Sequence, residues 1–340
     1  MTIISYLSSR FPQTGLKLIM AKWRKNIQDL LKRHLFLTQG GLETDFIFNK
    51  GYDLPYFSSF HLLESAQGTE ALTDYYAEFA TLALQNGFGY VLETPTWRAS
   101  KDWARLLGMS EQKHEEYLKK SLRIAQSVRS KLEDSKTSPM ILSGNVGPRG
   151  DGYNADVKMT IDQALEYHSH QIGIFAQANA DIVTAVTITY PEEAIGITKA
   201  AQRFDVPVVI GFTLETNGKL PCGISLQEAI EMVDDATDNG VLHFLINCAH
   251  LTHYESVLQS GGKWVQRIGS VLSNASRKSH EELDACEELD DGDPKEFGQE
   301  HAKLVKIMPQ LRIIGGCCGT DLRHVRHFVN AFENTKNQKT

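Results

Sequence analysis

One pattern recurs from residue 35 onward and restricts the fold more than any other. A short β-rich apolar run is followed by a polar or glycine-containing loop and then by ten or more residues of helical periodicity. Eight runs read as strands, at 35–38, 89–93, 140–144, 181–186, 207–212, 242–247, 265–271 and 311–315. The helices between them carry start signals: Thr160 with Gln163 and Ser225 with Glu228 fit the capping box, in which side chains satisfy the free backbone N–H groups of a first turn. Alternating strand and helix implies parallel strands with right-handed crossovers, and eight such units closing on themselves make an α/β fold, the (β/α)8 TIM barrel. An open doubly wound sheet is the competing architecture. Its dinucleotide-binding form requires GxGxxG after the first strand, and Gln39-Gly40-Gly41-Leu42-Glu43-Thr44 does not supply it. At 340 residues the chain is within the span of one barrel, assigned here to 35–335, with residues 1–34 as an N-terminal extension and helix.

In the extension, Ile3, Ile4 and Leu7 are interrupted by Arg10, Pro12 and Gly15 before reaching the length of a secretory core, so the expectation is no signal peptide and a dispensable segment 1–19, with Met20 as an alternative start. Residues 17–33 set Lys17, Lys22, Arg24, Lys25, Lys32 and Arg33 around an apolar stripe of Ile19, Trp23, Ile27, Leu30 and Leu31. The spacing predicts a basic amphipathic helix docked on the barrel rather than on a membrane. Two long connections, 213–224 and 272–296, fall on the strand-to-helix side, where barrels build their sites, and read as substrate covers. The second carries nine acidic side chains between Glu281 and Glu296 without the spacing of a calcium loop, and no chemistry is assigned to it. Lys plus Arg number 35 against 42 Asp plus Glu, a net charge of -7, so no nucleic-acid partner is expected. No apolar run is long enough for a membrane span.

Five cysteines, Cys222, Cys248, Cys286, Cys317 and Cys318, form an odd set with a vicinal pair. That is a poor disulfide framework and a good match to metal or redox chemistry in a reducing, cytoplasmic setting. Cys248 directly follows the sixth strand, and Cys317 and Cys318 directly follow the eighth. Strands six and eight flank strand seven, so a barrel brings all three to one rim. Three thiolates on a tetrahedral Zn2+ leave one position open, the layout of a catalytic site, and suit a sulfur nucleophile better than histidine ligands would. Cys222 and Cys286 read as free thiols in the long loops, and His250 and His253 as loop histidines that compete weakly as ligands. A lone cysteine packs as a small hydrophobe, and an adjacent pair forms a redox couple; it is the three together that favour a metal.

These residues resemble the homocysteine S-methyltransferase family over about Leu35 to Phe332. The resemblance rests on Gly40-Gly41-Leu42-Glu43-Thr44-Asp45, Glu93-Thr94-Pro95-Thr96, Gly144-Asn145-Val146-Gly147-Pro148, Asn247-Cys248 and Gly315-Gly316-Cys317-Cys318-Gly319. It implies a zinc-dependent barrel that passes a methyl group to homocysteine sulfur, with Cys248, Cys317 and Cys318 as metal ligands. Gly40, Gly41, Glu43, Glu93, Thr94 and Asn247 are the expected substrate-binding residues, and a small-molecule thiol and a methyl donor the expected partners. The chain departs from the family at two places. Gln39 stands where an Asp precedes the paired glycines, and Val186 where a Glu follows strand four; both lost carboxylates are expected to help hold the amino-acid end of homocysteine, a role for which Glu43 and Glu93 are placed. The departures leave open a different thiol acceptor, or a zinc- and thiol-binding homologue without turnover.

Overall fold

The computed structural model describes residues 21–337. Its eight strands are β1 Phe36–Leu37, β2 Gly89–Glu93, β3 Met140–Val146, β4 Ile182–Ile188, β5 Val208–Thr213, β6 His243–Asn247, β7 Ile268–Ser273 and β8 Ile313–Gly316. They pair in sequence order, all parallel, and β1 pairs with β8 to close the barrel. The principal crossover helices are Ala66–Gln85, Glu111–Leu132, Ile161–Gln177, Pro191–Arg203, Leu226–Thr237, Leu251–Gln259 and Pro294–Ile307, with Leu322–Asn337 after β8. The expected (β/α)8 barrel is thus the architecture found.

Strand boundaries differ from the periodicity where an apolar run extends past the ladder. Trp264 and Val265 are buried, but belong to a 3-10 turn, Lys263–Arg267, that delivers the chain to β7. Thr160 and Gln163 form the complete capping box, whereas Ser225 accepts from Glu228 N–H without the reciprocal bond.

Side-chain alternation along the strands sorts the core into two layers. Tyr90, Leu92, Met140 and Leu142 point outward into the helix-facing core, while Phe36, Val91, Ile141, Ile182, Val209 and Leu245 fill the barrel interior. Ile27, Leu30 and Leu31 join that interior layer from the short helix Ile27–Arg33 and close the N-terminal end of the barrel. Docking of the basic segment is therefore as expected. The helix itself is shorter than the stripe implies, because residues 24–26 form a 3-10 turn. Asp181 fixes this segment, accepting from Trp23 N–H at 2.8 Å, Leu142 N–H at 2.9 Å and Arg129 Nη1 at 2.6 Å. The expectations for residues 1–19 and Met20 lie outside the described residues. Among the described residues, no helix is long and apolar enough to cross a membrane.

Candidate metal centre and its cavity

The same alternation that places Val91, Ile141 and Leu245 low in the barrel places Glu93, Asn145 and Asn247 above them, two or four residues further toward the C-terminal rim. There a cavity opens, walled by these three residues and by the loops after β1, β3 and β8. Cys248, Cys317 and Cys318 lie on its wall, and their sulfurs are all within 4.8 Å of one another. No other set of His, Cys, Asp and Glu among the described residues meets as a candidate metal group.

Backbone contacts hold the three cysteines. Cys317 N–H donates to Ser273 O at 2.8 Å, Cys318 O accepts from Ala275 N–H at 3.0 Å, and Cys248 N–H donates to Leu272 O at 3.2 Å, tying both cysteine loops to the end of β7. The loop after β1 packs against the loop after β8: Gly41 N–H donates to Thr320 O at 2.9 Å, and a Cβ on Gly41 would lie 2.4 Å from Cys317 O. Gly41 therefore answers a close backbone approach, and it also lines the cavity beside Gly40.

The separation of Cys248 and Cys318 Sγ is 3.8 Å. Two thiolates on a tetrahedral zinc with bonds of about 2.3 Å stand about 3.8 Å apart, so the sulfur spacing fits that ion. Hydrogen bonds from Cys317 and then Cys318 pull the Cys248 thiol well below its ordinary range, and push its two partners up. The Tyr153 hydroxyl, kept protonated by burial and by the neighbouring thiols, lies 3.5 Å from Cys248 Sγ as a further donor.

All six expected substrate-binding residues line the cavity. Glu43 accepts from Ser59 Oγ at 2.6 Å, and burial raises its carboxyl. Burial and then the Glu43 charge push Glu93 up to about 7. Thr94 and Asn247 serve the walls directly. Thr94 Oγ1 accepts from Asn145 N–H at 2.9 Å, while Asn247 Oδ1 accepts from Thr187 N–H at 2.9 Å and its Nδ2 donates to Thr187 Oγ1 at 3.0 Å. Gln39 and Val186, the two departures, face the same space.

Several wall residues carry no sequence assignment: Phe57, Trp97, Asn145, Tyr153 and Thr187. Asn145 lies one residue past the expected end of the third strand and joins its alternation because β3 runs on to Val146, whereas Tyr153 stands in an irregular loop. The acidic segment 272–296 contains a short helix, His280–Asp284, and its His280 lies against Tyr153 with ring centroids 4.5 Å apart and planes tilted by 36°, and places Nε2 3.2 Å from Thr213 Oγ1. One long connection thereby reaches across the barrel mouth. The sulfur group excludes Cys222, Cys286, His250 and His253; His250 caps the helix Leu251–Gln259, and all five cysteines are free.

Comparison with known proteins places this geometry. Residues 36–332 match the homocysteine S-methyltransferase family. Homocysteine S-methyltransferase 1 of Brassica oleracea var. italica is 25% identical over 258 residues, 68% of this chain and 74% of that protein. Homocysteine S-methyltransferase YbgG of Bacillus subtilis (strain 168) is 22% identical over 274 residues, 76% of this chain and 81% of that protein. Among solved structures, the metallated form of the homocysteine methyltransferase MmuM from Escherichia coli has the same fold, with a TM-score of 0.67 at 19% identity over 91% of this chain and 99% of that one. With most of its length matched by the family, from the first strand of the barrel to the helix after the last, the chain belongs to the homocysteine S-methyltransferase family.

Proposed function

We propose that the protein is a zinc-dependent S-methyltransferase whose acceptor is a thiol, homocysteine, with methionine as the product. The observation that carries the reading is the three-sulfur group on the wall of a rim cavity, with a sulfur spacing that suits zinc. The metallated form of MmuM and the names of the curated relatives support it. Zinc held by Cys248, Cys317 and Cys318 would bind the acceptor sulfur and keep it deprotonated at neutral pH while leaving it electron-rich.

The chain's own residues supply the rest. Tyr153 shields Cys248 and donates toward its sulfur, and His280 braces Tyr153 from above. Gly40 and Gly41 admit the acceptor close to the β1 loop because they present no side chain. Val186 and Leu272 exclude water from the deeper wall. With the acceptor sulfur already ionised, attack on the donor forms the new S–CH3 bond as the bond from that methyl to the donor breaks, its electron pair leaving with the donor. No protein general base is required.

A second reading, with another thiol as acceptor, draws on Gln39 and Val186, which put no charge on the wall where the family resemblance implies two carboxylates. A turnover screen of the zinc-loaded protein, pairing thiols with sulfonium, quaternary ammonium and methylcorrinoid donors, tests both. Methionine from homocysteine is the expected product. Methylation of a different thiol in preference would establish the second reading, and thiol binding without any methyl transfer would overturn both in favour of a binding protein.

A further inference from the structure

We infer that Ser273, gripped by Tyr254 and His301, is a positioning residue for the sulfur centre: it fixes the end of β7 that spaces Cys248 from Cys317 and Cys318, and so sets the geometry offered to a metal. The inference rests on the three-cysteine metal reading above and adds the side chains that hold those ligands in place.

Residues 272–275 join two loops that come from different strands, and they do so alternately. Leu272 and Asn274 bond to the loop after β6: Leu272 O accepts from Cys248 N–H at 3.2 Å, and Asn274 N–H donates to Ala249 O at 3.1 Å. Ser273 and Ala275 bond to the loop after β8: Ser273 O accepts from Cys317 N–H at 2.8 Å, and Ala275 N–H donates to Cys318 O at 3.0 Å. One short segment therefore spaces the two cysteine loops, and a shift of it would move one loop against the other. Leu272 faces the cavity, and strand alternation turns Ser273 the opposite way, behind the cysteines and toward the helices Leu251–Gln259 and Pro294–Ile307.

On that outward face β7 otherwise carries an apolar residue, since Val271 joins the helix-facing core. Ser273 instead places its Oγ 2.6 Å from the Tyr254 hydroxyl and 2.7 Å from His301 Nε2, and none of the three residues is more than 1% exposed. The chemistry of the partners gives the chain a direction. His301 Nδ1 lies 2.7 Å from Phe297 O, which can only accept, so Nδ1 carries the proton. Burial lowers His301 to about 4 and keeps the ring neutral, which leaves Nε2 to accept from the Ser273 hydroxyl. Ser273 Oγ in turn accepts from the Tyr254 hydroxyl. Three buried polar side chains are thereby satisfied in a single arrangement. Apolar side chains would fill the same space without a desolvation cost, but would not fix the direction of the strand end. Leu272 and Ala275 have no polar side-chain atom and Asn274 Oδ1 has no partner, so Ser273 supplies the side-chain anchor of the segment.

Cobalt(II) titration of the reduced, metal-free protein tests this, because the absorption bands of thiolate-bound cobalt report affinity and coordination geometry together. Wild type should bind one cobalt with sulfur-to-metal charge transfer and a tetrahedral d–d envelope. Ser273→Ala should bind it about 10–100-fold more weakly, the usual cost of removing an outer partner of a metal site, with a displaced d–d envelope. Tyr254→Phe removes one of the two partners of Ser273 and should move both readouts the same way. Val271→Ala loosens the same face of β7 without touching the chain; it should lower Tm while leaving the affinity and spectrum of the folded protein at wild-type values. Wild-type affinity and spectrum in folded Ser273→Ala would overturn the inference, and Tyr254→Phe decides in its place if that variant does not fold. A Val271→Ala protein displaced as far as Ser273→Ala would also overturn it, since any loosening of the strand would then suffice. Cobalt bound to wild type without thiolate bands would overturn the three-cysteine reading, and this inference with it.

Discussion

At the residue scale, two strained turns shape the cavity. Cys248 has φ of 52° and Thr187 has φ of 63°, both in the left-handed region that a β-branched residue in particular avoids. The register of β4 against β5 shifts between Ala185 and Ile188, and Asn247 holds the displaced Thr187 through both ends of its amide. Asn247→Ala should therefore destabilise the protein by roughly 1–3 kcal/mol, the cost of leaving Thr187 N–H buried and unpaired, as measured by chemical unfolding. Loss of thiol affinity without loss of stability would instead make Asn247 a direct ligand of substrate. Gly41→Ala should lower zinc content as well as Tm, because the new methyl group meets Cys317 O and moves the loop that carries two sulfurs. The three cysteines were legible because their positions directly after strands six and eight follow from the strand pattern alone. The role of Asn247 in bracing β4 was not, since its partner Thr187 stands two strands along the barrel wall and 60 residues away in sequence.

At the element scale, the helix Ile27–Arg33 closes the end of the barrel opposite the site. Its Leu30, 1% exposed, packs with Phe36, Val91 and Ile182 in the interior layer. Leu30→Ala should cost roughly 2–5 kcal/mol in unfolding free energy, the range for large-to-small changes in a core. Zinc content of the folded fraction should be unchanged, because the helix and the cysteines occupy opposite ends. A change below about 1 kcal/mol would mean that the helix is only loosely docked. The existence and order of all eight strands were legible because each alternates or runs apolar between turn residues. Their ends were less so. Hydrophobicity reports burial rather than pairing, and buried Trp264 and Val265 stand in a 3-10 turn. The reach of the acidic segment to Tyr153 was invisible, since neither His280 nor Tyr153 stands in a periodic stretch.

At the scale of the whole molecule, buried histidines set the acid limit of the fold. Burial, with the Arg267 charge behind it, lowers His243 to about 3, and burial lowers His301 to about 4. The unfolded chain accepts these protons near pH 6.5, and the folded state refuses them. Their stabilising contribution is therefore full above about pH 6.5 and declines as the pH falls toward 4. Glu93 works in the opposite sense. Its folded carboxyl holds its proton up to about 7, so its contribution declines as pH rises from the ordinary carboxyl range toward 7. Unfolding free energy measured from pH 7 to 4 should fall with acid, and His243→Gln should flatten the fall. The barrel also unites the parts of the site: closure brings the ends of β6 and β8 to either side of β7, so that residues distant in sequence form one sulfur group. Zinc-edge X-ray absorption of the zinc-loaded protein, without and with L-homocysteine, tests that centre most directly. Three sulfur ligands should become four when the thiol is added. A sulfur count that does not change, or a zinc held by nitrogen and oxygen in place of the three cysteines, would contradict the account.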